Sequence, residues 1–275
     1  MQKIVVDANK HQVTLNLREL LAYKDLFLVL AYRDLKVRYA QTFLGLFWAF
    51  IQPAATLLIF TVVFGVAVKV ETGGVPYPIF AIAGMSAWAY FAFVLNNSGN
   101  SIIGAQEMVK KIYFPRLIIP LSKAVVGLVD FAVAFVFMSG LMIFYGFMPS
   151  ANIIYLPLFI LLTIISALAV GIWLSALTIR YRDFQQIVPF MIQFGLYATP
   201  IAYPAETIIK SLPNWAVIIY YLNPMAGVVE GFRWSILGGE PPSKYAYISF
   251  VLIILLFISA LYYFRKVERI MADIV

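Results

Sequence analysis

Cysteine is absent from this chain of 275 residues. That removes disulfides, thiolate metal sites and lipoprotein-type anchoring, and it leaves the redox compartment unspecified. Histidine is almost absent: His11 stands alone in a polar N-terminal stretch and reads as a surface residue. There is no His/Cys ligand set and no HExxH pattern, so no metal is expected. No GxxxxGK[ST] phosphate loop occurs, so the chain lacks an ATP site of the usual kind. The 13 acidic residues are scattered, and no two form an evident acid–base pair. Charge is scarce, at 12% of residues, against about 25% in soluble domains. The opening "MQKIVVDANKHQVTLN" has no apolar h-region or cleavage site, and Gln rather than Gly follows the first Met. We therefore expect neither a cleavable leader nor a myristoyl anchor.

What is abundant is apolar surface: 63% of residues are hydrophobic, and 23 are Phe. That is more than a water-soluble core can bury. A run of about 20 apolar residues crosses a bilayer as a helix. Six such runs appear, at about 42–68, 76–98, 117–147, 153–179, 184–203 and 246–264. None alternates apolar and polar residues as a lipid-facing barrel strand does. The expected class is an all-α integral membrane protein. It reads as a single domain over 1–275: a cytoplasmic N-terminus (1–41), six spans (42–264) and a cytoplasmic tail (265–275).

Sixteen of the 20 Lys and Arg lie in the N-terminal segment, around 110–123, at 180–182 and in the tail. The other face keeps only Lys69, Lys210, Arg233 and Lys244. Cytoplasmic loops carry the excess of positive charge, so both termini are expected in the cytoplasm. The net charge of +7 is thus a topology signal and does not point to nucleic acid.

Between the spans, residues 17–38 carry leucines near helical spacing, interrupted by charges, and read as an amphipathic helix in the cytoplasmic interface. A plain membrane anchor and a partner-contacting helix both fit. The long connection 204–245 holds two apolar pieces too short to span, "NWAVIIYYL" and "MAGVVEGFRWSIL", broken by Pro213, Pro224 and Gly238–Pro242. Such pieces read as re-entrant or interfacial helices. Pro53, Pro157 and Pro189 fall inside expected spans. The first three spans do not repeat in the last three, which argues against an inverted-repeat transporter.

Three features carry chemistry. Asp130 is an intramembrane carboxylate, and such residues mark function by default. Lys123, seven residues earlier, is about 10 Å away along the helix, too far for a direct pair. A polar partner elsewhere and a place along a pathway both stay open. Gln186, Phe190, Gln193 and Tyr197 share one helical face of span 5. Aromatic faces stack on pyranose rings and amides bond hydroxyls, so this face suits a sugar pathway. Trp48, Gln52, Trp88, Tyr90 and Asn97 extend the set, although Trp and Tyr also belt membrane interfaces. Third, "QEMVKKIYFPRLIIP" (106–120) places Glu107, Lys110, Lys111 and Arg116 between two apolar spans.

Several stretches together resemble permease subunits of ABC-2 type exporters. These are "RDLKVRYAQTFLGLFWAFIQP" (33–53), "KKIYFPRLIIP" (110–120) and "YLNPMAGVVEGFRWSILG" (221–238). Among them the polysaccharide and polyol-phosphate exporters (O-antigen, capsule, teichoic acid) are most similar. The resemblance implies a homodimer with two copies of a separate cytoplasmic ATPase, which binds ATP and Mg. It implies a coupling helix around Glu107, Lys110, Lys111, Tyr113 and Phe114, docked on that ATPase. Arg33, Lys36 and Arg38 would meet a lipid pyrophosphate where it enters. Spans 1, 2 and 5 would line a glycan channel, and Trp215, Tyr220, Glu230 and Arg233 would belong to an outer gate. The implied substrate is a polyprenyl-pyrophosphate-linked polysaccharide, O-antigen first, in the bacterial inner membrane. Teichoic acid, capsule, or a small lipid or drug are the alternatives. A membrane-embedded transferase would need a catalytic carboxylate pair, and only Asp183 and Glu230 remain for one.

Overall fold

The computed structural model describes residues 17–40, 45–268 and 271. The expected start of span 1 at residue 42, His11 and most of the tail lie outside the described residues. Among the described residues every regular element is a helix, with no strand. The order begins with α1 (Leu17–Ala22) and α2 (Lys24–Tyr39), then α3 (Trp48–Phe60), which runs on as a π-helical segment, Thr61–Ala67. After α4 (Tyr77–Gly99) come the short α5 (Ser101–Gly104) and α6 (Gln106–Lys111), then α7 (Ile118–Phe144) and α8 (Leu156–Arg180). Next are α9 (Phe184–Ala198), the short α10 (Ala205–Ser211) and α11 (Asn214–Tyr220), α12 (Pro224–Leu237) and α13 (Ala246–Glu268).

Five helical stretches are long and apolar enough to cross a membrane: Trp48–Ala67, Tyr77–Gly99, Ile118–Phe144, Ala151–Arg180 and Ala246–Glu268. The expected fifth span is different. Its helix, α9, has 15 residues, about 22 Å at 1.5 Å per residue, and ends where Thr199 turns extended before Pro200.

The core sits on α4. This helix packs along α7 and α8, and α8 in turn packs along α13. Small residues allow the close approach: a Cβ at Gly231 of α12 would overlap the ring of Phe159 on α8. Prolines fall where a lost donor costs least or where a bend is needed. Pro157, expected mid-span, sits in the first turn of α8, where no intrahelical donor is required. Pro53 and Pro189 do lie inside α3 and α9. α12 starts cleanly: the Asn223 side chain accepts from the Met225 amide, and Pro224 takes the first helical position.

The segment before the first span is not one amphipathic helix. It breaks at Tyr23, and α2 packs lengthwise against α7. Its packed face includes Leu30, Ala31 and the half-buried Asp34, while Leu28, Val29, Tyr32 and Val37 point outward, 56–69% exposed. Those outward apolar side chains are open to the surroundings of the bundle, while Leu26, Phe27 and Leu30 pack on the core. Two charges of α2, Asp34 and Arg38, turn toward opposite charges on α7.

Candidate functional site

The charged turn between the second and third long helices is built around α6. Glu107 and Lys111 pair across one helical turn at 3.2 Å, both about 70% exposed. A pair that open contributes about 0–1 kcal/mol. Lys110 is exposed too. Val109 faces inward and anchors the helix. Past α6 the chain extends at Ile112 and exposes Ile112 and Tyr113, 60% and 61%. Phe114, expected on the outward surface, is instead 3% exposed within the core cluster. Extended backbone alternates side chains between faces, so with Tyr113 outside Phe114 goes in. Ile112 is an exposed apolar side chain of this turn that the sequence reading did not single out.

This turn is fastened at both sides. The Tyr113 hydroxyl reaches Glu19 of α1 at 3.5 Å. Burial raises the Tyr113 pKa, and the neighbouring Glu19 adds to the shift. Arg116 donates its backbone N–H to Glu268 of α13 at 2.8 Å and its guanidinium to the Glu268 carbonyl. Arg265 completes the knot with a 2.8 Å bond to the Glu268 carboxylate.

Asp130 finds its partners on α2. Arg38 reaches it at 2.6 Å, and the Tyr39 hydroxyl donates to its other oxygen. Burial, then Asp130, pushes the Tyr39 phenol up to about 12, so it stays a neutral donor. One turn back on α2, Asp34 pairs with Lys123 of α7 and with Arg33 at 2.9 Å. Lys123 and Asp130 thus do not pair with each other; each is answered from α2. Arg38 also lies 4.5 Å from the Phe93 ring centre. Lys36, grouped with Arg33 and Arg38 from sequence, is exposed and two residues from Asp34, on the opposite side of the helix. It takes no part in the seam.

The aromatic and amide set divides in two. On α9, Gln186, Phe190, Gln193 and Tyr197 are all exposed, Phe190 by 67% and Tyr197 by 62%, and Val188 is the buried residue of that helix. On α3, Trp48 is 52% exposed and Gln52 is exposed. Trp88 and Tyr90 are not open: they are 6% and 2% exposed, because α4 is surrounded. The Tyr90 hydroxyl donates to the Ala124 carbonyl, and the indole of Trp88 packs on Gly195 of α9. Asn97 is half-buried and bonds the Phe93 carbonyl of its own helix. Trp88 and Tyr90 thus tie α4 to α9 and α7.

On the opposite end, α10, α12 and the connections 71–75 and 238–243 surround a cavity of about 860 Å³ lined by Glu71, Glu206, Lys210, Glu230, Trp234 and Glu240 among others. Trp215 is 67% exposed on α11, and the Tyr220 hydroxyl meets Tyr203 at 3.4 Å. Glu230 accepts from the Ser243 amide at 2.7 Å and the Tyr221 hydroxyl at 2.9 Å, while its burial holds its pKa above the usual carboxylate value. Arg233 is 7% exposed and, among the described residues, has no carboxylate partner. Its guanidinium donates to the carbonyls of Phe80, Pro200, Ile201 and Tyr203 and lies 3.6 Å from the Phe80 ring centre. It staples the turn after α9 to α4 and α12.

A match to the ABC-2 type transporter family runs over residues 25–237. The chain belongs to that family. An O-antigen export system permease protein from Klebsiella pneumoniae is 30% identical over 251 residues, 91% of this chain and 95% of the relative. Its counterpart from Myxococcus xanthus is 28% identical over 216 residues, 78% and 82%. A polysialic acid transport protein from Escherichia coli is 22% identical over 212 residues, 75% and 79%. The matched stretch runs from α2 through α12, so it contains α6, the α2–α7 seam and the Arg233 staple. ABC-2 permeases are transport components, and several helices here are apolar enough for a multi-pass membrane protein.

Proposed function

We propose that this ABC-2 chain is the membrane-spanning permease subunit of an ATP-driven exporter of lipid-linked polysaccharide, O-antigen in the first place. What carries the reading is likeness over nine-tenths of the chain to a permease named for O-antigen export. Capsular polysaccharide is the second reading, favoured by the more distant polysialic acid relative. The whole chain forms one transmembrane domain with both termini in the cytoplasm of the bacterial inner membrane. α9 and the turn that follows it make the sixth crossing, and α11 and α12 form the outer gate.

Two copies assemble with two ATPase subunits. The exposed α6 turn, with Lys110, Lys111, Ile112 and Tyr113, docks on the ATPase: an apolar anchor ringed by charge is the usual hot-spot composition. ATP-driven closure of the motor then moves α6. Arg116–Glu268 passes that displacement to α13, and Tyr113–Glu19 passes it to α1. The open faces of α3 and α9 meet their counterparts across the dimer and form the glycan channel. Unpaired amides facing lipid are costly, which favours a wet surface for Gln186 and Gln193.

The test is ATP hydrolysis by the complex co-purified from its native membrane, with and without polyprenyl-pyrophosphate glycan. We expect stimulation by the long glycan lipid and none by short lipids or drugs. In the same assay Lys110→Glu with Lys111→Glu should remove the stimulation while membrane insertion survives. Losing one hot spot costs about 2 kcal/mol or more, over tenfold in docking affinity. Normal export by that variant would defeat the docking role.

A further inference from the structure

We infer that Glu268 is a two-position clutch between the α6 turn and α13: its carboxylate passes from Arg116 to spare donors on Arg265 and back. The inference rests on the export reading above and adds how the link to α13 lets go. The two oxygens of Glu268 serve different partners. Oε1 accepts the Arg116 backbone N–H at 2.8 Å. Oε2 accepts from Nη1 of Arg265, one turn back on α13, at 2.8 Å. Arg265 is therefore held by a single nitrogen. Its Nε and Nη2 are shut away from water and, among the described residues, have no partner. The Arg265 and Glu268 side chains are only 15% and 14% exposed. Buried polar groups are nearly always bonded, and an unpaired buried donor is costly. Two of the three side-chain atoms left in that state belong to this one arginine, which sets it apart from the other charges of the bundle.

The missing acceptor stands next to it. Nη1 and Nη2 are the tips of one planar fork, the shape that a carboxylate meets with both oxygens. Oε2 already sits on Nη1, so a turn of the Glu268 carboxylate brings Oε1 to Nη2. Oε1 must leave the Arg116 N–H to do so. Each arrangement gives the carboxylate two bonds, and the two differ in what they join. In one, the α6 turn is fastened to α13. In the other, Glu268 and Arg265 close on each other within α13, and the turn is free. The lost bond to Arg116 is offset by a charge-assisted one to Arg265, which keeps the two states close in energy, as a bistable element requires. The Arg116 guanidinium bonds the Glu268 main-chain carbonyl, a group at a helix end that water can serve once Arg116 departs. What the clutch drives is rigid. Trp173 of α8 stacks on Tyr263 of α13 with ring centres 4.3 Å apart, and its indole N–H donates to Ser259 at 2.9 Å. Motor closure first draws the α6 turn with α13 and α8 attached. Handover at Glu268 ends the stroke and lets α13 return while the motor is still closed. Glu268 and Arg265 touch no substrate in this scheme; they are positioning residues.

The chain has no cysteine, so Gln106→Cys on α6 and Lys266→Cys on α13, both exposed, take spin labels without background. Their separation is read in the permease–ATPase complex, without nucleotide and with a non-hydrolysable ATP analogue. We expect one short distance without nucleotide and a second, longer one with it. Arg265→Lys keeps an ion pair to Glu268 but has no fork. It should melt near the wild type, lower the longer population about tenfold, the worth of one charge-assisted hydrogen bond, and slow export alongside. Glu268→Gln offers one acceptor oxygen where two partners stand. It should show the longer distance already without nucleotide. A plain fastening does not give opposite shifts from the two members of one ion pair.

A separation that ignores nucleotide in the otherwise unchanged complex would overturn the clutch. So would an Arg265→Lys complex that switches like that parent. Asp273→Asn, in the tail beyond the described residues, should alter neither distance. If it abolishes the longer one, the spare donors belong to the tail and the inference falls. If glycan-lipid stimulates ATP hydrolysis while the distances stay fixed, the clutch is refuted and the export reading stands. If the wild type shows no stimulation, it is the export reading that fails, and the change of distance with nucleotide alone decides the clutch.

Discussion

Arg233 offers the sharpest test of how the outer end is held. Replacing it with Met keeps much of the side-chain volume and removes every donor. Four carbonyls, from Phe80, Pro200, Ile201 and Tyr203, then lose their partner at once. A buried acceptor left unpaired costs about 1–3 kcal/mol. Phe80 and Pro200 also line the outer cavity, so water can reach part of the wound, and the lower end of the range applies there. The stacking on Phe80 adds about 1–2 kcal/mol when desolvated. Removing a cation saves its desolvation cost, which partly offsets these losses. The net expectation is a loss of about 3–5 kcal/mol, or roughly 6–15 °C in melting temperature for a chain of this size. Arg233→Lys should fall between, because three donors on a point charge cannot replace a planar fork. The assay is thermal unfolding of the purified protein in detergent. Gly84 gives the internal control: a Cβ there would stand 2.7 Å from the Arg233 guanidinium. Gly84→Ala should destabilise the wild type and cost much less in the Arg233→Met background, a coupling that a double-mutant cycle reads directly. An Arg233→Met variant that melts within about 2 °C of the wild type would refute the staple, since that gap is worth under about 1 kcal/mol.

Other outcomes follow from single sites. Gly231→Ala puts a methyl into the ring of Phe159, and overpacking of that kind costs about 1–3 kcal/mol, so its melting temperature should drop. Glu230 titrates above the ordinary carboxylate value because it is buried, so the folded state holds its proton more tightly than the unfolded one. Stability then falls as pH rises from the unfolded value of about 4.3 through the raised folded value. The melting advantage of Glu230→Gln over the wild type should therefore widen from about pH 4 toward neutrality; a gap that narrows would contradict the burial of the charge.

Membrane class and the long helices were legible because twenty-residue apolar runs leave few alternatives. The side chains that do the work were legible only where the signal is local. The exposed face of α9 followed from spacing, since Gln186, Phe190, Gln193 and Tyr197 repeat at the helical period. Trp88 and Tyr90 carry the same residue chemistry, but nothing along the chain says that α4 is wrapped on all sides, so their burial was hidden. Phe114 turned inward because the backbone extends right after α6, a change of period within two residues that composition does not reveal.

The seam was written in the sequence in a form that single-segment reading misses. Asp34 and Arg38 are spaced four apart, and Lys123 and Asp130 seven apart, with charges in opposite order. Either pattern alone looks like loop charge or an isolated buried acid. Together they specify one register of two helices running in the same direction, because a slip of one turn would set Asp34 against Asp130 or Arg38 against Lys123. Like charges at such distances cost energy that a half-buried site cannot screen. The Arg38–Asp130 and Lys123–Asp34 pairs therefore fix how α2 lies on α7. Breaking either pair would loosen that register and with it the position of α2, which α1 and Glu19 join to Tyr113 of the α6 turn.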